Sequence, residues 1–220
     1  MKQLTLKKNI LESNDKIANN LRRIFNEKGI YTINLLGSPG AGKTTLLEKI
    51  IGDLRGDIRI GVIEGDLYTT RDADRIESHG IDVVQVNTGG GCHLDASMVY
   101  SATKEMDIDS IDLLVIENVG NLVCPASYDL SEDMRIVVMS STEGNDKPLK
   151  YPSMFKSASV VVLNKTDLIE YTDFDLDEFY NDVSSINKEA IVSKVSCREN
   201  TGIETLSKDI LSRIKAKKKR

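Results

Sequence analysis

The sequence predicts an α/β fold, a mostly parallel sheet flanked by helices in a single domain with an N-terminal helix. Three observations carry this. Short apolar runs rich in β-branched residues recur along the 220 residues and alternate with helix-like stretches, which is the pattern of strands buried on both faces between crossover helices. A Gly-rich loop joins the first such run to the first such helix. With only 4 Pro in the chain, no linker, repeat or low-complexity segment divides it.

Each element follows in order. Residues 1–8 read as a loose leader. From 9 to 28, Ile10, Leu11, Ile17, Leu21, Ile24 and Phe25 fall at helical spacing, and Gly29 stops the helix. Residues 1–30 are therefore expected to be a leader and a helix packed on a domain formed by 31–220. Buried parallel strands are predicted at Tyr31–Leu36, Ile58–Glu64, Asp82–Val86, Leu113–Glu117, Arg135–Ser140, Val160–Leu163 and Ile191–Val195. Helices are predicted over 43–54 and near 71–79, 95–106, 173–187 and 203–216. The end, Lys215 to Arg220, carries five positive charges and reads as a solvated helix end that suits the macrodipole.

Composition excludes several classes. A net charge of −5 without an interleaved basic and aromatic surface argues against nucleic acid as a partner. No apolar run approaches the roughly 20 residues of a membrane span, and the polar start MKQLTLKKNILESNDK lacks a signal-peptide core. Three Cys make no disulfide framework. A cytoplasmic protein with reduced thiols is expected.

Gly37-Ser38-Pro39-Gly40-Ala41-Gly42-Lys43-Thr44 fits G-x-x-x-x-G-K-[ST] at each fixed position, between a strand and a helix. This is a phosphate loop, so the fold is that of a P-loop NTPase. Backbone N–H groups of Gly37, Ser38, Gly40, Ala41 and Gly42 would wrap the phosphates. Lys43 would reach the β- and γ-phosphates, Thr44 would hold Mg²⁺, and Thr45 follows in the same binding segment. Downstream, Asn164-Lys165-Thr166-Asp167 follows an apolar strand. A carboxylate there accepts from both N1–H and the 2-amino group of guanine, whereas adenine would leave Asp167 desolvated and unpaired. The Lys165 stem can cover the base and Asn164 can tie the loops together. Ser196-Cys197-Arg198 fits a second base-contacting loop acting through backbone amides. GTP is the expected nucleotide.

Glu117, at the end of the strand Leu113–Glu117, and Asp66, in Glu64-Gly65-Asp66, are candidate Mg²⁺-shell carboxylates. Gly120 leaves room for an N–H sensor of the γ-phosphate, and Asp72 is a candidate for positioning the attacking water. Thr69, Thr70 and Arg71 fall in the expected nucleotide-responsive segment. No Gln is placed to orient water, which predicts slow intrinsic turnover.

Asn87-Thr88-Gly89-Gly90-Gly91-Cys92-His93-Leu94-Asp95 joins an adjacent Cys-His pair to three glycines, and Cys124 closely follows the Glu117 strand. Thiolate and imidazole suit Zn²⁺ or Ni²⁺. Spacing alone favours two ordinary buried cysteines and a satisfied histidine over a metal site. Three ligands fall short of the four of a closed zinc site, which leaves an exogenous group, a carboxylate or a second subunit to complete it. His79, before Gly80, reads as a surface or capping residue.

From Leu35 to Thr201 the sequence resembles the HypB-type GTPases of the SIMIBI class, which assist nickel insertion into [NiFe]-hydrogenase. GSPGAGKTTLLE, IEGDLYTTRDADRI, NTGGGCHLDA, IENVGNLVCPASYDLSE, STEGNDKPLKYP and NKTDL carry the resemblance. It implies Mg²⁺-dependent GTP hydrolysis, a homodimer that forms on GTP binding, and Cys92, His93 and Cys124 as a nickel or zinc site at the dimer interface. It also implies a hydrogenase maturation partner and the hydrogenase large subunit as partners. No Cys precedes Cys92 and no His precedes His79, so a nickel-storing leader is not expected. Within Asp146-Lys147-Pro148-Leu149-Lys150-Tyr151-Pro152, Lys147 either contacts phosphate across a dimer or sits in a plain ordered loop. The competing functions are a urease-type nickel accessory GTPase and a metal-buffering protein that binds GTP without turnover.

Overall fold

The computed structural model describes residues 6–67 and 70–219. Seven parallel strands form one sheet in the order β3-β2-β4-β1-β5-β6-β7: β1 (Tyr31–Gly37), β2 (Ile60–Asp66), β3 (Asp82–Asn87), β4 (Leu113–Glu117), β5 (Met134–Ser140), β6 (Val160–Asn164) and β7 (Ile191–Lys194). The helices are α1 (Leu6–Lys28), α2 (Lys43–Leu54), α3 (Arg71–Glu77), α4 (Ala96–Ala102), α5 (Lys147–Lys150), α6 (Pro152–Lys156), α7 (Leu176–Ile186) and α8 (Ile203–Lys217).

Side-chain alternation along the strands builds the layers. Ile33, Leu35, Val62, Leu113, Val115, Ile136, Val138, Val160 and Val162 face α2, α3 and α8. Their neighbours face the other way. Ile63, Leu114 and Ile116 pack beneath α1 and α4, while Leu36, Val137, Met139, Val161 and Leu163 pack beneath α6 and α7.

Several boundaries differ from expectation. α1 begins at Leu6 rather than at 9, because no Gly or Pro interrupts the chain before Gly29; residues 1–5 of the expected leader lie outside the described residues. α4 starts after Asp95 because that carboxylate caps it, accepting from Ser97 N and Met98 N. α7 likewise starts after Asp175, which accepts from Glu178 N. β3 and β7 are not fully buried as expected. They are the two edges of the sheet, and each lacks a neighbour on one side; Ile191 is 49% exposed.

α1 is tied to the sheet by polar contacts as well as by Leu21 and Phe25. Asn14, buried on α1, donates through Nδ2 to the Asp129 carbonyl at 2.9 Å and accepts at Oδ1 from Ala96 N, the first amide of α4, at 2.8 Å. Arg22 holds both Asp129 carboxylate oxygens at 2.7 Å. Asn14→Ala removes both hydrogen bonds and leaves the Ala96 amide buried and unpaired, a loss of about 1–3 kcal/mol, readable as a lower urea midpoint with an unchanged slope.

Candidate functional site

The carboxyl ends of parallel strands collect ligands in open α/β sheets, and here β1, β2, β4 and β6 bring the predicted residues to one edge. A cleft of about 510 Å³ is lined by Pro39, Gly40, Gly42, Lys43, Thr44, Thr45, Glu64, Asp66, Asp72, Arg75, Glu117, Asn118, Gly120 and Lys165. The phosphate loop needs its glycines for space and for backbone conformation. Gly42 has φ +94°, and a Cβ there would sit 2.4 Å from Asn164 Nδ2. Gly120 comes close from the other side; a Cβ on it would lie 3.0 Å from Pro39 Cα and N.

Lys43 is buried among carboxyls. Thr44 Oγ1 donates to Glu117 Oε1 at 2.8 Å. Glu64, which sequence reasoning passed over in favour of Asp66, pairs in register with Glu117 across β2 and β4. Its signal was present in the same Glu-Gly-Asp strand end, but only the strand order reveals its neighbour. Burial pushes the Glu64 carboxyl well above the ordinary range, and the charges of Glu117 and Asp72 add to the push. Burial also raises Glu117, against the pull of Lys43 and the Thr44 hydrogen bond. Oε2 of Glu64 and Oε2 of Glu117 are buried without a hydrogen-bond partner among the described residues. Such orphaned oxygens, with the Thr44 hydroxyl, make an all-oxygen donor set of the kind that fits a hard divalent cation. Asp66 lies at the rim, where its Oδ1 accepts from Leu67 N.

Asp72 is on α3, paired with Arg75 at 3.0 Å. Arg75, which the sequence did not single out, also binds Glu48 and donates to Thr45 Oγ1 at 3.1 Å. Thr70 Oγ1 donates to Asp74, and Arg71 opens α3. Thr69 lies outside the described residues. Ser38 Oγ donates to Glu143, the last residue of a capping box at Ser140. His79 is half-buried, with Nε2 3.8 Å from Glu48.

Beside this cleft is a smaller one of about 270 Å³, lined by Gly42, Thr45, Asn164, Lys165, Asp167, Leu168, Cys197 and Arg198. Asn164 Nδ2 donates to the Ala41 carbonyl at 2.9 Å, and its Oδ1 accepts from Lys165 N and Cys197 N. Lys165 adopts φ 58° and sends Nζ to the Gly40 carbonyl at 2.8 Å. Ser196 Oγ donates to Asp167 Oδ1 at 2.6 Å and fixes the carboxylate. One detail differs from expectation. The Ser196 amide donates to Thr201 O and the Cys197 amide to Asn164, so two of the expected base-contacting amides hold the loop itself together. Burial raises the Cys197 thiol to about 11, consistent with a packing role.

Cys92, His93 and Cys124 come together. One ligand atom from each lies within 4.8 Å of the others, and Cys92 Sγ is 3.6 Å from His93 Nδ1. The Tyr128 ring stacks on the His93 imidazole with centroids 4.0 Å apart. Burial lowers the His93 pKa and favours the neutral imidazole that ligates metal. A cavity of about 470 Å³ opens beside the cluster, and Lys150, Tyr151 and Pro152 of the Asp146–Pro152 segment line it. Lys150 pairs with Asp146, and Lys147 opens α5.

Residues 31–194 match the family model described as CobW/HypB/UreG, nucleotide-binding domain. A probable hydrogenase maturation factor HypB from Methanocaldococcus jannaschii is 41% identical over 212 residues, covering 96% of each chain. The chain belongs to the HypB family. A hydrogenase/urease maturation factor HypB from Helicobacter hepaticus is 43% identical over 206 residues, covering 92% of this chain and 84% of that one. The crystal structure of HypB from Helicobacter pylori in complex with nickel superposes with a TM-score of 0.87 at 38% identity, covering 93% of this chain and 96% of that one. As a HypB-family protein the chain has the P-loop NTPase fold and the GTPase class of activity that goes with it. Among the described residues no helix is long and apolar enough to cross a membrane.

The acid pair makes stability depend on pH. A carboxyl raised by folding keeps its proton where the unfolded chain has lost it, so its contribution is full below the ordinary carboxylate pKa and falls as pH rises toward the raised value. In chelator, the wild-type urea midpoint is expected to fall from pH 5 to pH 8. Glu64→Gln, with no proton to lose, is expected to flatten that fall.

Proposed function

We propose that this HypB-family chain is a GTP-hydrolysing metallochaperone that assists nickel insertion into [NiFe]-hydrogenase, with nickel as its cargo. The observation that carries the reading is the convergence of Cys92, His93 and Cys124 to within 4.8 Å, one short segment away from a cleft built by the phosphate loop and Glu117.

In this reading the phosphate-loop amides and Lys43 hold the triphosphate, and Asp167, fixed by Ser196, selects guanine. Thr44, Asp66 and Glu117 would hold Mg²⁺, with Glu64 beside them; the cation neutralises charge on the β- and γ-phosphates when bound. The Gly120 N–H senses the γ-phosphate and Asp72 orients water. Phosphoryl transfer needs positioning and charge neutralisation rather than covalent chemistry. With Asp72 engaged by Arg75 and no Gln in place, intrinsic turnover stays below roughly 10 s⁻¹, the usual enzyme median.

GTP binding favours a homodimer. Three ligands per chain are one short of a closed tetrahedral site, and a two-fold axis beside Cys124 supplies the remainder from a second copy. Val123, next to Cys124 and 62% exposed, is suited to that contact. The hydrogenase large subunit and a maturation partner are the expected acceptor and co-worker. A role in urease maturation is the second reading, favoured by the name of the Helicobacter hepaticus relative; activation of apo-hydrogenase and apo-urease in parallel separates the two.

Light-scattering mass with metal analysis tests the central claim. A non-hydrolysable GTP analogue is expected to double the mass relative to GDP, and nickel is expected to be retained in wild type but lost in Cys92→Ala. A monomer in every state with metal indifferent to Cys92 rejects it. Absence of phosphate release above background from metal-loaded protein favours metal buffering instead. Asp167→Asn keeps one acceptor for N1–H but loses the charge and sets an amide donor against the guanine 2-amino group, and is expected to weaken GTP binding on the order of 10²–10⁴-fold, while improving xanthosine triphosphate, whose 2-oxo group accepts from the new amide.

A further inference from the structure

The two sites share the segment 117–124, and its polar side chains reach both segments that carry Cys92, His93 and Cys124. Asn118 directly follows Glu117 and is 1% exposed. Its Oδ1 accepts from Leu94 N at 3.0 Å and from Val119 N at 3.0 Å, and its Nδ2 reaches Asn34 Oδ1 on β1 at 3.4 Å. Leu94 is fully buried and adjoins His93. Asn121 lies on the other side of Gly120. Its backbone N–H donates to the carbonyl of Gly37, the first glycine of the phosphate loop, at 3.0 Å. Its Oδ1 accepts from Val123 N at 2.7 Å and from Cys124 N at 3.2 Å. A further tie runs from β2: Thr88 N donates to the Asp66 carbonyl at 3.0 Å, and Thr88 Oγ1 donates to the Gly91 carbonyl at 2.6 Å.

We propose that Asn118 and Asn121 are positioning residues that couple nucleotide state to nickel affinity, one gripping the Cys92-His93 segment and the other the Cys124 segment from either side of Gly120. The inference rests on the switch reading above and names how that switch reaches all three ligands. Breaking the Asn118 contact strands a buried amide, so Leu94 follows Asn118 when the Gly120 segment shifts. Asn121 carries Cys124 in the same way while bonded to the phosphate loop. The displacement required is small. A tetrahedral site with metal–sulfur bonds near 2.3 Å holds its sulfurs about 3.8 Å apart, and the ligand atoms here already lie within 4.8 Å of one another.

The test is a nickel titration of the full chain against a chromophoric competing chelator, at saturating GDP and at a saturating non-hydrolysable GTP analogue. The readout is the ratio of the two nickel affinities. Wild type is expected to show a ratio in the range of about 5–150, as allosteric couplings usually do. Asn118→Ala and Asn121→Ala are expected to bring the ratio to within about twofold of one, whereas Asn121→Asp, whose carboxylate accepts the same two amides, keeps it. A merely structural role would weaken both states alike and leave the ratio in place. Alanine variants that retain the wild-type ratio overturn the inference while leaving the switch standing. A wild-type ratio of one overturns the switch itself. Should Asn118→Ala fail to fold, the half-buried Asn121 pair of variants decides the outcome.

Discussion

The Thr44 hydroxyl reaches Glu117 because β4 lies directly beside β1, with Leu35 in register with Glu117. That strand neighbourhood governs the rest of the working edge. It sets the end of β4 against the phosphate loop, so the chain leaving β4 has to run past Pro39 before it reaches Cys124. It also places β2 on the far side of β4, which brings Glu64 against Glu117. A different strand order with the same elements would separate the phosphate loop, the acids and Cys124.

The edge is electrostatically tense by construction. Lys43, Glu64 and Glu117 are all buried, and the two glutamates leave an oxygen each without a partner. Burying carboxylates unpaired is costly. The cost is concentrated beneath a glycine-lined loop whose conformation Asn164 and Lys165 hold from the other side. A ligand that binds there only in the folded form would offset that cost.

The second site is organised differently. Cys92 and His93 lie in a loop and Cys124 opens a short 3-10 turn, and both segments are held by side chains of the chain leaving β3 and β4. Asn118, Asn121 and Thr88 each use short polar groups to satisfy loop amides and carbonyls. The stacked Tyr128 ring orients His93. The Cys92, His93 and Cys124 cluster therefore takes its geometry from the strand edge that carries the phosphate loop rather than from a scaffold of its own.

Local chemistry was legible in the sequence. The phosphate loop, the Asn164–Asp167 motif and the alternating strands and helices are each written in consecutive residues, because glycine conformation, turn donors and β-branched runs act over a few positions. The Cys92-His93 pair and Cys124 stand out as candidate ligands, yet their spacing by itself does not separate a metal site from buried thiols. Glu64, Arg75 and the Asn118 and Asn121 contacts stayed hidden for one physical reason. Among their partners are residues 24 to 53 positions away and one only three, and nothing in a linear pattern ranks those distances. The order β3-β2-β4-β1-β5-β6-β7 decides them. Local sequence determined which groups could do chemistry. Only the parallel packing of the strands decided which of them meet, since burial and hydrogen bonding are settled by neighbours in space rather than along the chain.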